Sequence, residues 1–229
     1  MKTLGLIGGM SWESTALYYA AINREIGKRA GGLSSAPLLV HSVDFAPIAE
    51  MQANHDWQGL GDAMADSAKR LEQAGAQGLF LATNTMHNVA DRIQAASRLP
   101  FVHIADPTAD ALLADGIENV ALLGTAFTMG MPFYKDKLAG RGLNVLVPEV
   151  NRTNLSGIIY NELCKGVVKE SSRQVYVEAI EALKSRGADA VILGCTEITM
   201  LIGDDESPLP TYDTTALHAR AAADFILSE

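Results

Sequence analysis

The sequence predicts an α/β protein made of two similar halves, each built on a parallel β-sheet. Short apolar runs alternate with segments in which apolar residues recur at helical spacing, throughout the 229 residues. Such runs are typical of strands that are buried on both faces, and their alternation with helices is typical of a parallel sheet covered by helices. In addition, one stretch of the first half aligns with a stretch of the second half without a gap.

The first half contains four predicted strands, each followed by a segment with helical periodicity. The strands are predicted at residues 4–7, 38–40, 78–81 and 101–104. The apolar faces of the first three helices are formed by Thr15, Tyr19, Ile22 and Ile26, by Leu60, Met64 and Leu71, and by Met86, Val89 and Ile93. After the fourth strand, Asp106 is a predicted N-cap and Pro107 the first helical residue, since both residue types favour these positions.

The second half repeats this scheme. Its strands are predicted at residues 120–123, 143–147 and 190–193. The apolar faces of its helices are formed by Leu155, Ile158, Ile159 and Leu163, and by Tyr176, Ile180 and Leu183. Tyr212 and Asp213 open a last predicted helix, which continues through Leu217, Ala221 and Phe225.

An internal match relates the two halves in detail. Residues 75–85 align with residues 187–197 over eleven positions, and residues 6–9 align with residues 122–125. An apolar run that ends in a small residue is common to all βα units. Because the longer match needs no gap, internal duplication explains it better than this general similarity.

Duplication predicts two domains related by a pseudo-twofold axis. We expect the first domain to consist of residues 1–105 plus 209–229, and the second of residues 106–208. Open α/β sheets bind ligands outside the carboxyl ends of their strands, so the active site is expected in the cleft between the domains. Thr83 and Cys195 follow equivalent strands and would approach one small molecule from opposite sides.

Charge and cysteine content exclude several classes of protein. The chain has 18 lysine and arginine residues against 27 aspartate and glutamate residues, a net charge of −9 without any basic run. Nucleic-acid binding needs clustered positive charge, and a membrane span needs about 18 consecutive apolar residues, so neither partner is expected. The two cysteines, Cys164 and Cys195, are too few for a disulfide scaffold, and we expect a cytoplasmic protein with reduced thiols.

Cys195 is the strongest candidate for chemistry. It follows a predicted strand and Gly194, and a helix start is predicted at Thr196 and Glu197. The positive end of a helix dipole lowers the pKa of a thiol from about 8.5, so we expect a reactive cysteine here. The alternative is a buried, inert cysteine, which is our interpretation of Cys164.

Three consecutive hydrogen-bonding side chains stand at the equivalent strand end of the first half, namely Thr83, Asn84 and Thr85. A turn of this kind suits a carboxylate, because its N–H groups point outward. Thr83 or Asn84 is also a candidate N-cap, and the two roles are compatible. His87 follows one helical turn later and is interpreted as a helix-surface or capping residue, with contact to the site as the alternative.

Neither a nucleotide nor a metal site is predicted. The turn at residues 8–11 lacks the G-x-G-x-x-G spacing, and no P-loop sequence occurs. The histidines show neither H-E-x-x-H nor Cys/His ligand spacing.

Two further polar residues are candidates for holding an anionic substrate. Lys165 lies near a predicted helix end, where it would equally complement the negative end of the helix dipole. Gln52 lies in a predicted polar loop, and loops near strand ends often bind ligands.

Four segments together resemble the aspartate/glutamate racemase family, and the resemblance covers the whole chain. They are residues 8–15 (GGMSWEST), 83–87 (TNTMH), 123–125 (LGT) and 194–197 (GCTE). The resemblance implies two α/β domains with the active site between them and a homodimer. It also implies amino-acid racemisation without a cofactor, by paired cysteines on the two faces of the substrate Cα.

The chemistry explains why two groups are needed. Inversion through a carbanion requires a base on one face and an acid on the other, and donors around the α-carboxylate stabilise the charge that develops. The resemblance assigns the catalytic positions to Cys195 and Thr83, so a threonine replaces one cysteine of the pair. Because a hydroxyl is a poor base, we expect unequal activity on the two enantiomers. The substrate-binding residues implied in the same way are Met10, Asn84, Thr85, Thr125 and Thr196.

The substrate side chain is less closely specified. Lys165 matches a lysine that some aspartate racemases use for the side-chain carboxylate, but residues 43–48 lack the accompanying arginine and Gln52 is the nearest polar candidate. We expect aspartate or glutamate as the substrate. The sequence leaves open a broader-specificity racemase, a single-cysteine isomerase or decarboxylase of small diacids, and a ligand-binding homologue with impaired catalysis.

Overall fold

The computed structural model describes residues 1–228, which form two compact α/β units. The first unit contains residues 1–104 and the chain from His218 onward, and the second contains residues 105–217. Within the described residues, no helix is long and apolar enough to cross a membrane.

The first unit contains three strands and four α-helices that precede residue 104. In chain order they are β1 (Leu4–Gly8), α1 (Trp12–Ala30), β2 (Leu38–Ser42), α2 (Phe45–Ala53), α3 (Trp57–Gln73), β3 (Gly78–Leu81), a 3₁₀ helix (Thr85–Val89) and α4 (Ala90–Ala96).

The sheet of the first unit has the order β2-β1-β3, and both pairings are parallel. Leu4 and Leu6 of β1 pack with α1 on one face of the sheet. Ile7 packs with α3 on the other face. Successive side chains of a strand point to opposite faces, so apolar residues at every position of β1 bury both.

Two details of the first unit differ from the prediction. The fourth predicted strand, at residues 101–104, forms only one isolated bridge, between Phe101 and Leu79. The predicted apolar face of α1 included Tyr19, but Tyr19 is 54% exposed and Tyr18 is buried in its place. Tyr18 precedes Ile22 by four residues and Ile22 precedes Ile26 by four, which is the spacing of one helix face.

The second unit contains four strands. Its elements are α5 (Ala105–Ala114), β4 (Asn119–Gly124), α6 (Ala126–Gly130), α7 (Pro132–Ala139), β5 (Asn144–Leu146), α8 (Arg152–Asn161), a 3₁₀ helix (Leu163–Lys165), α9 (Glu170–Ser185), β6 (Ala190–Gly194), a 3₁₀ helix (Thr196–Met200), β7 (Thr211–Asp213) and α10 (Thr214–Leu227), which continues into the first unit.

The sheet of the second unit has the order β5-β4-β6-β7, again with parallel pairings only. Leu123 and Leu193 pack against α8 and α9, where Tyr176 and Ile180 belong to the same buried cluster. The two parallel sheets confirm the predicted α/β class. The segment 209–217, which is predicted to belong to the first domain, carries β7 at the edge of this second sheet.

The equivalent positions of the internal match have equivalent backbone geometry. Gly75 and Gly187, which precede β3 and β6, have φ angles of +97° and +94°, a conformation that L side chains rarely adopt. The N–H group of Leu79 donates to Pro100 at 2.8 Å, and that of Val191 donates to Pro210 at 2.9 Å. The two units thus share local structure as well as strand order.

The start of α5 lies slightly earlier than predicted. The helix begins at Ala105, so that Asp106 and Pro107 lie in its first turn and Asp106 is not the N-cap. The N–H groups of a first turn have no partner within the helix, and proline is therefore tolerated there.

Candidate active site

Cys195 stands directly after β6, at a point where two strands approach each other closely. A Cβ atom added at Gly194 would lie 2.7 Å from the carbonyl oxygen of Leu123 in β4. Real Cβ atoms essentially never approach an oxygen so closely, so this position requires glycine. Gly194 pairs with Gly124, and therefore Cys195 and Thr125 leave neighbouring strands side by side.

The thiol of Cys195 is hydrogen-bonded to a carboxylate. Its Sγ atom donates to Oε2 of Glu197 at 2.9 Å, and the hydroxyl of Thr196 donates to the same oxygen at 2.6 Å. Glu197 is only 9% exposed. Charge-assisted hydrogen bonds to a buried carboxylate are strong, so this arrangement fixes the orientation of both donors.

These surroundings raise the pKa of the Cys195 thiol well above its ordinary value. Burial is the largest cause, followed by the negative charge of Glu197 and the hydrogen bond to it. The expectation of a lowered thiol pKa is therefore wrong. The helix that follows is a 3₁₀ helix of five residues, and its dipole is outweighed by burial and by the carboxylate.

Glu197 contacts the candidate thiol directly, but it is not among the candidate residues that the sequence predicts. It lies two residues after Cys195, within the segment 194–197. The sequence predicts a helix start at this position, which does not imply contact with the thiol. The available signal was the juxtaposition of an acidic residue and a cysteine at a strand end, because a tight turn brings such side chains together.

Thr125 caps the helix that follows β4. Its Oγ1 atom accepts a hydrogen bond from the N–H group of Thr128 at 3.2 Å, which makes it the N-cap of α6. Its side chain is buried. Thr125 is thus fixed at the carboxyl end of the sheet, next to the strand that leads to Cys195.

The equivalent strand end of the first unit carries Thr83, Asn84 and Thr85. Thr83 is partly exposed, whereas Asn84 and Thr85 are buried, and Thr85 begins the 3₁₀ helix that follows β3. The carbonyl oxygen of Thr83 accepts a hydrogen bond from Nδ1 of His87 at 2.8 Å. His87 is only 2% exposed, so its interpretation as a helix-surface residue is wrong.

The turn after β1 brings Met10 into the core of the first unit. Gly9 has a φ angle of +92°, and a Cβ atom there would collide with the backbone of Val43. The N–H group of Gly9 donates to the side chain of Thr15 at 2.8 Å, which ties the turn to the first helix. Met10 is buried as a result.

Gln52 is a helical residue, in contrast to the predicted polar loop. It lies in α2 and is only 5% exposed. Its Nε2 atom donates to the sulfur of Met86 at 3.2 Å, so Gln52 lies next to the helix that begins at Thr85. The structure thereby brings Gln52 close to the segment that carries Thr83.

Lys165 and Cys164 lie in the 3₁₀ helix that follows α8. This helix contacts the 3₁₀ helix that begins at Thr196. Lys165 is exposed, whereas Cys164 packs against the apolar core of the second unit, as its interpretation as a structural residue requires.

The predicted residues therefore fall into two groups. The first unit holds Met10, Gln52, Thr83, Asn84 and Thr85, and the second holds Thr125, Lys165, Cys195 and Thr196. In residues 1–228, no group of three or more histidine, cysteine, aspartate or glutamate side chains is placed to hold a metal ion.

Comparison with known proteins assigns the family. The model of the Asp/Glu/Hydantoin racemase family matches residues 7–222. The chain belongs to this racemase family. Racemases are isomerases, and the chain is an isomerase by this assignment.

Individual proteins that are similar to this chain support the same assignment. A crystal structure from Yersinia pestis, provisionally named as an Asp/Glu racemase, is 46% identical, with a TM-score of 0.94 and 100% coverage of both chains. An aspartate racemase homologue from Pyrococcus horikoshii is 33% identical, with a TM-score of 0.85 and 100% coverage of both chains. The broad specificity amino-acid racemase RacX of Bacillus subtilis is 23% identical over 233 residues, which cover 98% of each chain.

Proposed function

We propose that this racemase-family protein is a cofactor-independent amino-acid racemase for aspartate or glutamate. Cys195 and Thr83 are the two acid/base groups, one for each face of the substrate Cα. The observation that carries the proposal is the hydrogen bond between the Cys195 thiol and the buried Glu197 carboxylate, at a strand end equivalent to that of Thr83. Cys195 thus has a proton acceptor within reach, as general acid–base chemistry requires.

On the cysteine face, the thiol must first lose its proton. Transfer of this proton to Oε2 of Glu197, 2.9 Å away, gives a thiolate and a carboxylic acid. One negative charge is present before and after the transfer, so no additional charge is buried. The thiolate then removes the α-proton of the substrate and becomes a thiol, and the electron pair stays on Cα and the α-carboxylate.

On the opposite face, the Thr83 hydroxyl delivers a proton to Cα and receives one from water. The proton held by Glu197 is released and neutralises the hydroxide that remains, so the thiol, the hydroxyl and the carboxylate are all restored. A hydroxyl group is a weak base without an activating neighbour, so Thr83 is less suited to the reverse step. The enantiomer whose α-hydrogen faces Cys195 is therefore deprotonated faster. Unequal activity on the two enantiomers follows from this chemical difference.

The carbanion is stabilised by hydrogen-bond donors around the α-carboxylate. We assign this role to Asn84, Thr85 and Thr125, which lie at the ends of β3 and β4. Thr196 contributes differently, because its hydroxyl proton is directed at Glu197. It holds the carboxylate that accepts the proton of Cys195.

Recognition of the substrate side chain is assigned to Lys165, Gln52 and Met10. Lys165 is exposed and supplies the positive charge that a second carboxylate requires, whereas Gln52 supplies an amide donor. Met10 closes the site with an apolar side chain. A broader range of amino acids is supported by the Bacillus subtilis relative, which is named as a broad specificity amino-acid racemase.

Solvent exchange tests the reaction and the substrate together. Single enantiomers of aspartate, glutamate and a panel of other amino acids are incubated with the protein in D₂O. Loss of the α-proton is followed by NMR and inversion by chiral chromatography. We expect exchange and inversion with an acidic amino acid, abolished by Cys195→Ser and retained by the matched variant Cys164→Ser. If no amino acid exchanges its α-proton, the proposal is wrong.

A second candidate function is isomerisation or decarboxylation of small diacids by Cys195 alone. It is favoured by the fact that Thr83, and not a second thiol, stands at the equivalent strand end. Product analysis with maleate and an arylmalonate distinguishes it, since recovery of both compounds unchanged excludes it. A ligand-binding homologue without turnover would retain its affinity in Cys195→Ser.

The resemblance and the cysteine content also support a cytoplasmic homodimer. Light scattering coupled to size-exclusion chromatography measures the mass directly, and a monomer mass at working concentration would contradict the dimer.

A further inference from the structure

His87 is held by hydrogen bonds at both ring nitrogens. Its Nδ1 atom lies 2.8 Å from the carbonyl oxygen of Thr83, and its Nε2 atom lies 3.1 Å from the backbone nitrogen of Ile104. A carbonyl oxygen can only accept, so Nδ1 carries the proton. A backbone N–H can only donate, so Nε2 is the acceptor. The two contacts together require the neutral Nδ1–H tautomer.

The surroundings keep this imidazole neutral. Burial lowers the pKa of His87 well below its ordinary value, and the neighbouring His103 and His218 lower it further. Because both nitrogens are occupied by the backbone, His87 cannot take a proton from the Thr83 hydroxyl without losing a buried hydrogen bond. A direct acid/base role for His87 is therefore excluded by its geometry.

The ring is also fixed from its sides. The ring centroids of His103, Phe101 and His218 lie 4.5, 5.6 and 5.9 Å from that of His87. His218 is itself held, because its Nδ1 accepts from the hydroxyl of Tyr18 and its Nε2 donates to the carbonyl of Val102, both at 3.0 Å. These ring contacts and the two hydrogen bonds to the backbone together fix the orientation of the His87 ring.

We infer that His87 is a positioning residue for Thr83, which it holds through the Thr83 carbonyl so that the hydroxyl meets one face of the substrate Cα. The inference rests on the proposed function and adds a residue to it. The segment 101–104 holds the histidine rings in place. It forms one isolated bridge and no strand, and its backbone is hydrogen-bonded to the imidazoles, at Val102 to His218 and at Ile104 to His87. Displacement of Thr83 would impair proton delivery on its face and spare proton removal by Cys195.

Two substitutions separate the two contacts of the ring. His87→Asn places an amide donor near the position of Nδ1 and keeps the bond to Thr83. His87→Gln places its amide near the position of Nε2 and keeps only the bond to Ile104. Tyr18→Phe is the matched control, since it removes a buried hydrogen bond from the same group of rings without touching Thr83.

The readout is the ratio of inversion to α-proton exchange, measured in D₂O with the enantiomer that reacts faster. Exchange without inversion needs Cys195 alone, whereas inversion also needs Thr83. We expect His87→Gln to lower the ratio about 10- to 100-fold, as displacement of a reacting group does. His87→Asn and Tyr18→Phe should retain the wild-type ratio. A general loss of stability would reduce both rates equally and leave the ratio unchanged.

The outcomes distinguish this inference from the proposed function. If the wild-type protein exchanges no α-proton, the proposed function is wrong. If the wild-type protein inverts its substrate and His87→Gln retains the ratio, the inference is wrong and the proposed function stands. A further measurement needs no variant: ¹⁵N NMR of the wild-type protein should show the Nδ1–H tautomer of His87, and the Nε2–H tautomer would overturn the inference.

Discussion

The Sγ atom of Cys195 lies 2.9 Å from Oε2 of Glu197, and the thiol donates a hydrogen bond to this carboxylate. The negative charge of this carboxylate and the hydrogen bond to it raise the pKa of the thiol, in addition to the larger effect of burial. In the proposed function, Cys195 is the base for the α-proton and Glu197 is the acceptor that frees this base, so the contact between them is the first feature to test.

Glu197→Gln should lower turnover while it preserves the local hydrogen bonds. Glutamine can accept from the Cys195 thiol and from the Thr196 hydroxyl, but it cannot take a proton from either. Removal of a general acid/base group costs about 10²- to 10⁴-fold in rate, and we expect a loss in this range. Racemisation is followed by circular dichroism with saturating substrate, and KM is measured in parallel.

Glu197→Gln should also lower the pKa of the Cys195 thiol, because the negative charge of Glu197 raises this pKa in the wild-type protein. Alkylation by iodoacetamide as a function of pH reports this change in a Cys164→Ser background. The midpoint should lie above that of an ordinary thiol in the wild-type protein and fall in Glu197→Gln. Glu181→Gln, on the exposed surface of α9, makes the same change of charge and should alter neither rate nor midpoint. Full activity in Glu197→Gln would contradict the proton transfer to this residue.

Thr83→Cys should reduce the difference between the enantiomers. A thiol is a far better base than a hydroxyl, so the slower direction should gain more in kcat/KM than the faster one. The ratio of kcat/KM for the two enantiomers measures the effect. An unchanged ratio would mean that Thr83 does not act at Cα.

The class of fold could be predicted because buried parallel strands and amphipathic helices leave strong patterns. The runs at β1, β3, β4 and β6 are apolar at almost every position, and these strands lie where the sequence places them. The segment 101–104 has the same apolar character but forms only a bridge. An apolar run indicates that its residues are buried, but it does not show whether they are buried in a sheet. In the segment 101–104 the buried residues pack around histidine rings instead.

The candidate site could be predicted only in part. Cys195 and Thr83 stand at strand ends, and an apolar run followed by a polar residue reveals such positions. The contact between Cys195 and Glu197 and the burial of His87 depend on the course of the chain after each strand. Gln52 shows the same limit, since its contact with Met86 joins residues that are distant in the sequence.

Gly194→Ala should destabilise the protein and impair Cys195. The added methyl group would lie 2.7 Å from the carbonyl oxygen of Leu123, so the ends of β4 and β6 must separate. Overpacking of this kind costs about 1–3 kcal/mol of unfolding free energy. Gly157→Ala in α8 is the matched control, because its nearest neighbour is 3.7 Å away and alanine favours a helix. Urea unfolding measures both variants, and equal stabilities would contradict the close approach at Gly194.

Buried His218 should make the protein less stable in mild acid. Burial lowers its pKa in the folded protein from 6.5 to about 4, so the unfolded chain binds a proton at a higher pH than the folded chain does. Its contribution to stability is fully present above pH 6.5 and is lost as the pH falls from 6.5 towards 4. The gap between the two pKa values corresponds to about 3 kcal/mol, and His87 acts in the same direction.

Urea unfolding at several pH values between 7.5 and 4.5 measures this loss. His218→Gln removes the titrating group, so its free energy of unfolding should fall less steeply over this range than that of the wild-type protein. His55→Asn is the control, since His55 is exposed and asparagine tolerates its φ angle of 55°. The control should follow the wild-type slope. Equal slopes in His218→Gln and the wild-type protein would show that His218 can be protonated without loss of the fold, against the effect of its burial.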